Sequence, residues 1–165
     1  MPHLMLMRHG KSDWDAGASD DHSRPLAPRG VDAAQCMGEV VRDLGLVPDL
    51  VVSSTATRAR STAELARITG GWNTRLVLDD ALYGASVTET LDAASRHAED
   101  CERIMLVGHQ PTWSMTVRRL TGAQVAMRTA TIADIEMSIV NWSQLSTATG
   151  TLTALLQPRH FANRT

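Results

Sequence analysis

The sequence predicts a three-layer α/β/α sandwich on a mainly parallel central sheet, with an antiparallel strand toward the C-terminal end. Three observations carry this prediction. Residues 4–7, 50–52 and 104–107 are short, unbroken apolar runs, the pattern of strands buried on both faces. Segments with helical periodicity separate them, which is the order of an α/β domain. The last third changes character and alternates polar with apolar residues, as half-exposed strands do.

The first run stops abruptly at Arg8-His9-Gly10. Residues 11–25 are polar and rich in Asp, Ser and Gly, which reads as a long functional loop. A helix is predicted over 28–44, with Ala33, Met37, Val40, Val41 and Leu44 on one face. Pro28 suits its first turn, Gly45 its C-terminal cap and Pro48 the stop beyond. The strand at 50–52 runs into Ser53-Ser54-Thr55, which can cap a helix over 56–69 closed by Gly70. Residues 75–78 read as a short strand. Ser86-Val87-Thr88-Glu89 has capping-box spacing and starts a helix to about residue 97. The strand at 104–107 ends at Gly108-His109, and Gln110-Pro111 opens a helix to about residue 120, followed by Gly122. Residues 134–139 and 151–156 alternate and are expected as half-exposed, antiparallel strands. Residues 1–158 are expected to form one domain and residues 159–165 a loose tail.

The bulk composition narrows the function. With 165 residues and 43% hydrophobic content, one domain can bury a core without disulfide staples. Cys36 and Cys101 are far apart and lack metal-ligand spacing, so they read as thiols of no special role. Two such cysteines fit a reducing, cytoplasmic compartment. A formal charge of −2 and a pI near 6.3 argue against a nucleic-acid or anionic-membrane binder. No apolar run reaches bilayer length, and the N-terminal one is too short for a signal peptide.

In parallel sheets, ligands bind beyond the carboxyl ends of the strands. Arg8-His9, Ser53-Ser54 and Gly108-His109 all stand at such ends, and neighbouring strands lie about 5 Å apart. These clusters are therefore expected to converge. Gly10 would let the backbone turn and approach a ligand closely. Arg8 offers planar donors suited to phosphate oxygens. Arg58 falls in the first turn of a helix, where the macrodipole disfavours a cation unless an anion is bound there. Arg60 points elsewhere and reads as solvated. Two histidines at strand ends also raise a metal site, but closely spaced carboxylate or histidine ligands are missing around both.

Taken in order, Arg8-His9-Gly10, then 53–59 (Ser-Ser-Thr-Ala-Thr-Arg-Ala), then Gly108-His109 resembles the histidine phosphatase superfamily, also called phosphoglycerate-mutase-like. The short length and several further motifs are similar to the small phosphohistidine phosphatases. These are Lys11-Ser12-Asp13-Trp14, Arg24-Pro25-Leu26-Ala27-Pro28-Arg29-Gly30, Met37-Gly38, Leu82-Tyr83-Gly84-Ala85 and His109-Gln110-Pro111-Thr112. The match runs from about His3 to Trp113 and continues weakly to about Ile139. The resemblance implies a phosphoglycerate-mutase-like fold and a reaction without cofactor or metal. It makes His9 the nucleophile, has Arg8 and Arg58 clamp the phosphoryl oxygens, and lets His109 donate to the same oxygens.

The general acid is less plain. Many members of the superfamily carry an acidic residue near the segment resembling 82–85, and here that segment has none. Glu89 is the nearest one downstream, and its spacing from Ser86 suits helix capping. Asp21, three residues before Arg24, resembles an acidic position of the small phosphohistidine phosphatases and is the expected acid. Arg24 either contacts the phosphate or braces the loop, and Trp14 could wall the cleft. A nitrogen leaving group can be protonated beforehand and needs less acid than an alcohol. The weak acid therefore points to protein phosphohistidine dephosphorylation through phospho-His9. The alternatives are a phosphatase of a small phosphorylated metabolite, such as a sugar or nucleotide ester, and a non-catalytic phosphate-binding module. The oligomeric state is left open.

Overall fold

The apolar runs become the middle of a six-stranded sheet in the computed structural model, which describes residues 1–163. Its strands are β1 (His3–Arg8), β2 (Leu50–Ser53), β3 (Arg75–Leu78), β4 (Arg103–Gly108), β5 (Ile132–Met137) and β6 (Gly150–Leu156). They are ordered β3-β2-β4-β1-β5-β6. The first four run parallel, β5 is antiparallel to β1, and β6 is antiparallel to β5. The helices are α1 (Pro28–Asp43), α2 (Thr57–Thr69), α3 (Val87–His97) and α4 (Thr112–Thr121).

Strand β1 shows why its run is unbroken. Successive side chains of a strand point to opposite faces. Leu4 and Leu6 enter one core with Leu91, Val117 and Leu120 of α3 and α4. Met5 and Met7 enter the other with Met37, Val41 and Ala63 of α1 and α2. Both faces are covered, so neither can be polar.

Local signals hold at several ends. Ser86 and Glu89 form the expected capping box, with Glu89 N–H donating to Ser86 Oγ at 3.1 Å and Ser86 N–H to Glu89 Oε2 at 2.7 Å. Gly122 ends α4 at a left-handed φ of 75°. Elsewhere the structure differs. No side chain caps α2; its N-cap is Ala56, whose N–H donates to Ser54 Oγ at 3.2 Å. Leu44 is 50% exposed, because α1 ends one residue earlier and the chain turns outward there.

The half-exposed reading of residues 134–139 holds except at Asp134: Ile135, Met137 and Ile139 are buried, Glu136 is partly exposed and Ser138 is exposed. Strand β5 begins earlier, at Ile132, and lies inside the sheet with β6 at the edge. The buried Asp134 carboxylate accepts from His3 Nδ1 at 3.1 Å and from Thr153 Oγ1 at 3.2 Å. Strand β6 does alternate, as an edge strand. Of the expected tail, Arg159 and His160 belong to a 3-10 turn over Pro158–His160, and Phe161 packs on the α1–α2 core. Residues 164 and 165 lie outside the described residues. Among the described residues, no helix is long and apolar enough to cross a membrane.

Candidate active site

Sheet register brings the three polar clusters level. Arg8 pairs with Gly108 across β1 and β4, and Ser53 pairs with Val107 across β2 and β4. One step further, His9 N–H donates to Gly108 O at 3.0 Å. The His9 and His109 rings then stand 5.3 Å apart between centroids.

His9 is buried, and its Nδ1 lies 2.7 Å from Gly10 O. A carbonyl oxygen only accepts, so the ring proton sits on Nδ1 and the lone pair on Nε2. Burial pushes the His9 pKa down to about 4, helped by the charges of Arg58, Arg8 and Arg24 against the opposing Gly10 carbonyl. His109 is pushed down to about 3, again by burial first, then by His9 and Arg58. Both rings are neutral at neutral pH. His109 Nε2 shares a hydrogen bond with Ser54 Oγ at 2.8 Å, and its buried Nδ1 has no partner among the described residues.

Three guanidinium groups surround these rings. Arg8 donates through Nη1 to Met127 O at 3.1 Å, and Arg58 through Nη1 to Asp21 O at 2.7 Å. The Nε atoms of Arg8 and Arg58 are buried without partners among the described residues. Arg24 donates through Nε to Ser12 Oγ at 3.1 Å and lies 3.5 Å from the Trp14 ring centroid. Arg8, His9, Arg24, Arg58, Trp14 and His109 line one cavity of about 230 Å³, so Trp14 does form part of its wall. A larger cavity of about 540 Å³ between α3 and α4 has a mostly apolar lining and no histidine or carboxylate in its wall.

Asp21, the acid expected from the sequence, sits outside that wall. Its Oδ1 accepts from Arg24 Nη1 at 2.9 Å, and its Oδ2 accepts from Arg58 Nη2 at 3.0 Å and from the Tyr83 hydroxyl at 2.7 Å. The Tyr83 hydroxyl above all, then Arg58 and Arg24, hold its carboxyl below the usual range. Three donors on one carboxylate favour the anion. This setting suits a brace between guanidinium groups better than a proton donor. Glu89 is exposed, engaged in its capping box and outside the cavity.

Gly10 is a correction of a different kind. The backbone it approaches is α1 and not a ligand: a Cβ here would lie 2.7 Å from Gly30 O. It does not line the cavity; its carbonyl orients His9 and its N–H donates to Thr62 Oγ1 at 2.9 Å. Sequence reasoning gave no role to Tyr83, although the motif holding it was visible. It also missed the 126–131 loop, because nothing local in the sequence ties Met127 to Arg8. Among the described residues, no group of three or more His, Cys, Asp or Glu side chains is placed to hold a metal ion.

Comparison with known proteins agrees with this fold. Residues 4–87 match the histidine phosphatase superfamily (branch 1). An uncharacterized chloroplastic protein of Arabidopsis thaliana is 28% identical over 156 residues, covering 89% of this chain and 72% of its own. An uncharacterized protein of Mycobacterium leprae (strain TN) is 32% identical over 120 residues, covering 71% of this chain and 72% of its own. Among solved structures, the "Putative Phosphohistidine Phosphatase SixA" of Nakamurella multipartitia superposes with a TM-score of 0.82 at 31% identity, over 95% of this chain and 96% of that one. A protein histidine phosphatase SixA solved with tungstate shares the fold, with a TM-score of 0.82 at 20% identity over 96% of this chain and 98% of that one. The chain belongs to the histidine phosphatase superfamily, branch 1, and is a phosphatase of phosphoglycerate-mutase-like fold.

Proposed function

We propose that this phosphatase removes phosphoryl groups from protein phosphohistidine, without metal, through phospho-His9. The observation that carries the reading is the 2.7 Å contact of His9 Nδ1 with Gly10 O. It leaves the Nε2 lone pair as nucleophile in a cavity shared with the guanidinium groups of Arg8, Arg24 and Arg58.

The phosphoryl group brings close to two negative charges. Arg8 and Arg58 clamp its oxygens, with Arg24 alongside, and positioning and electrostatics supply most of the rate. His109, whose Nε2 is engaged by Ser54 Oγ, stands in the same wall as a further donor to those oxygens. Nε2 of His9 attacks phosphorus, and the bond from phosphorus to the substrate's imidazole nitrogen breaks. That imidazole is already protonated on its other nitrogen, so it leaves neutral. Water then attacks phospho-His9, the P–Nε2 bond breaks, and phosphate departs with the water's oxygen.

The leaving group follows from the walls of the cavity. No carboxylate lines it, and Asp21 is held ionised behind two arginines. A nitrogen leaving group tolerates that better than an alkoxide does. Metal independence rests on the same walls, since a divalent cation would face three guanidinium groups and no carboxylate. Cys36 and Cys101, in no disulfide, fit a reducing cytoplasmic compartment.

The test is turnover of a phosphohistidine protein and of small phosphate esters, with chelator present, by wild type and His9→Ala. We expect phosphohistidine turnover by wild type, an acid-labile phosphoenzyme on rapid quench, and loss of both in His9→Ala. Chelator-sensitive turnover would overturn metal independence. Turnover by His9→Ala would overturn the nucleophile, and turnover of esters alone would favour a small-metabolite phosphatase.

A further inference from the structure

A second cavity, of about 220 Å³, adjoins the phosphoryl pocket, and Lys11 and Thr129 stand in the walls of both. Lys11, Arg29, Arg128 and Arg159 line it, and no carboxylate does. Among the described residues, none of the four takes part in an ion pair. Asp32 and Glu39 lie around the next cavity with Arg29 and Arg159, but neither forms an ion pair with them. In a chain of net charge −2, four like charges gathered without an ion-pair partner or a carboxylate in the cavity wall are opposed by their own repulsion.

These cations come from four separate segments. Lys11 follows β1, Arg29 is in the first turn of α1, Arg128 precedes β5, and Arg159 sits in the 3-10 turn after β6. Arg29 there faces the positive end of the helix dipole, which only an anion would offset. The loop carrying Arg128 is fixed to the catalytic strand. Arg8 N–H donates to Thr131 O at 3.0 Å, and Ala130 N–H to His9 O at 3.0 Å. Arg8 Nη1 also donates to Met127 O. Ala130 holds a left-handed φ of 57°, a conformation that persists only where the surroundings impose it.

We propose that this cavity is a second anion subsite, which takes a carboxylate or phosphate carried on the same substrate as the reacting phosphoryl group. The proposal rests on the reading of the His9 cavity as the phosphoryl pocket. For a protein substrate the second anion is an acidic side chain near the phosphohistidine. For a small substrate it is a second phosphate or carboxylate.

Calorimetric binding of alkylphosphonates and of ω-carboxyalkylphosphonates of matched chain length tests it without requiring turnover. At one chain length or more, the carboxylate should tighten binding to wild type at least tenfold. In Arg128→Gln/Arg159→Gln that advantage should fall to twofold or less, while Arg118→Gln on α4, another exposed arginine, keeps it. No advantage at any length, or one that survives the double substitution, overturns the subsite. An equal loss in Arg118→Gln overturns it as well, because general charge then explains the effect. Turnover of phosphohistidine peptides flanked by Glu or by Gln identifies the source: a preference for Glu assigns it to a protein side chain. If neither peptide is turned over while the carboxylate advantage persists, the phosphohistidine reading falls and the subsite stands.

Discussion

Asp21 accepts from donors on three segments of chain, Arg24 in its own loop, Arg58 on α2 and Tyr83 before α3. The carboxylate thereby fixes the planes of two guanidinium groups that border the phosphoryl pocket. Trp14 stacks on Arg24 from the solvent side, although it is itself 71% exposed. A brace and an acid make different demands on the leaving group. An acid matters more for a poor leaving group. A brace acts on the arginines, which bind the phosphoryl group whatever it departs from. Hydrogen bonds to charged groups contribute about 1.5–3 kcal/mol each, so Asp21→Asn should lower kcat/KM by roughly tenfold to a hundredfold. We expect the same loss on phosphohistidine and on an ester with a poor leaving group. A loss confined to the poor leaving group would restore the acid assignment.

At the scale of elements, the close crossing of α1 and α2 sets where Arg58 can stand. Gly38 makes that crossing possible: a Cβ here would lie 2.1 Å from Ala66 O. Trp72 donates to the carbonyl of the same glycine at 3.1 Å. Gly38→Ala gains a little helix propensity but forces the two helices apart. Overpacking of this kind costs about 1–3 kcal/mol. For a chain of this size each kcal/mol lowers Tm by about 2–4 °C. The expected outcome in differential scanning calorimetry is a Tm lower by roughly 2–12 °C. An unchanged or higher Tm would show that the helices part freely.

The whole molecule carries two imidazoles that folding holds neutral. His9 falls to about 4 and His109 to about 3, from an ordinary 6.5. The unfolded chain therefore takes up these protons first as pH falls. Stability from this source is full above about pH 6.5 and is lost progressively toward pH 4 and then 3. Most carboxylates titrate below that upper window. The urea midpoint should drop between pH 7 and pH 5, and the drop should be smaller in His109→Gln. A midpoint flat across that interval in wild type would mean that the rings are not held neutral.

Local chemistry in the sequence was enough to place the strands, the capping box before α3 and the strand-end residues Arg8, His9 and His109. Periodicity, turn residues and abrupt ends of apolar runs are properties of neighbouring residues, so they can be read without the fold. The sheet's order was not legible, and neither was the burial of Asp134, whose partners His3 and Thr153 lie on β1 and β6. Contacts over long separations were equally hidden: Asp21 meets Tyr83 62 residues away, and Arg8 meets Met127 119 residues away. The four cations beside the phosphoryl pocket belong to the same class. Lys11 and Arg29 stand in motifs that gave them no role and Arg128 and Arg159 in none, and only the packing of α1, the β5 approach and the C-terminal turn brings them together.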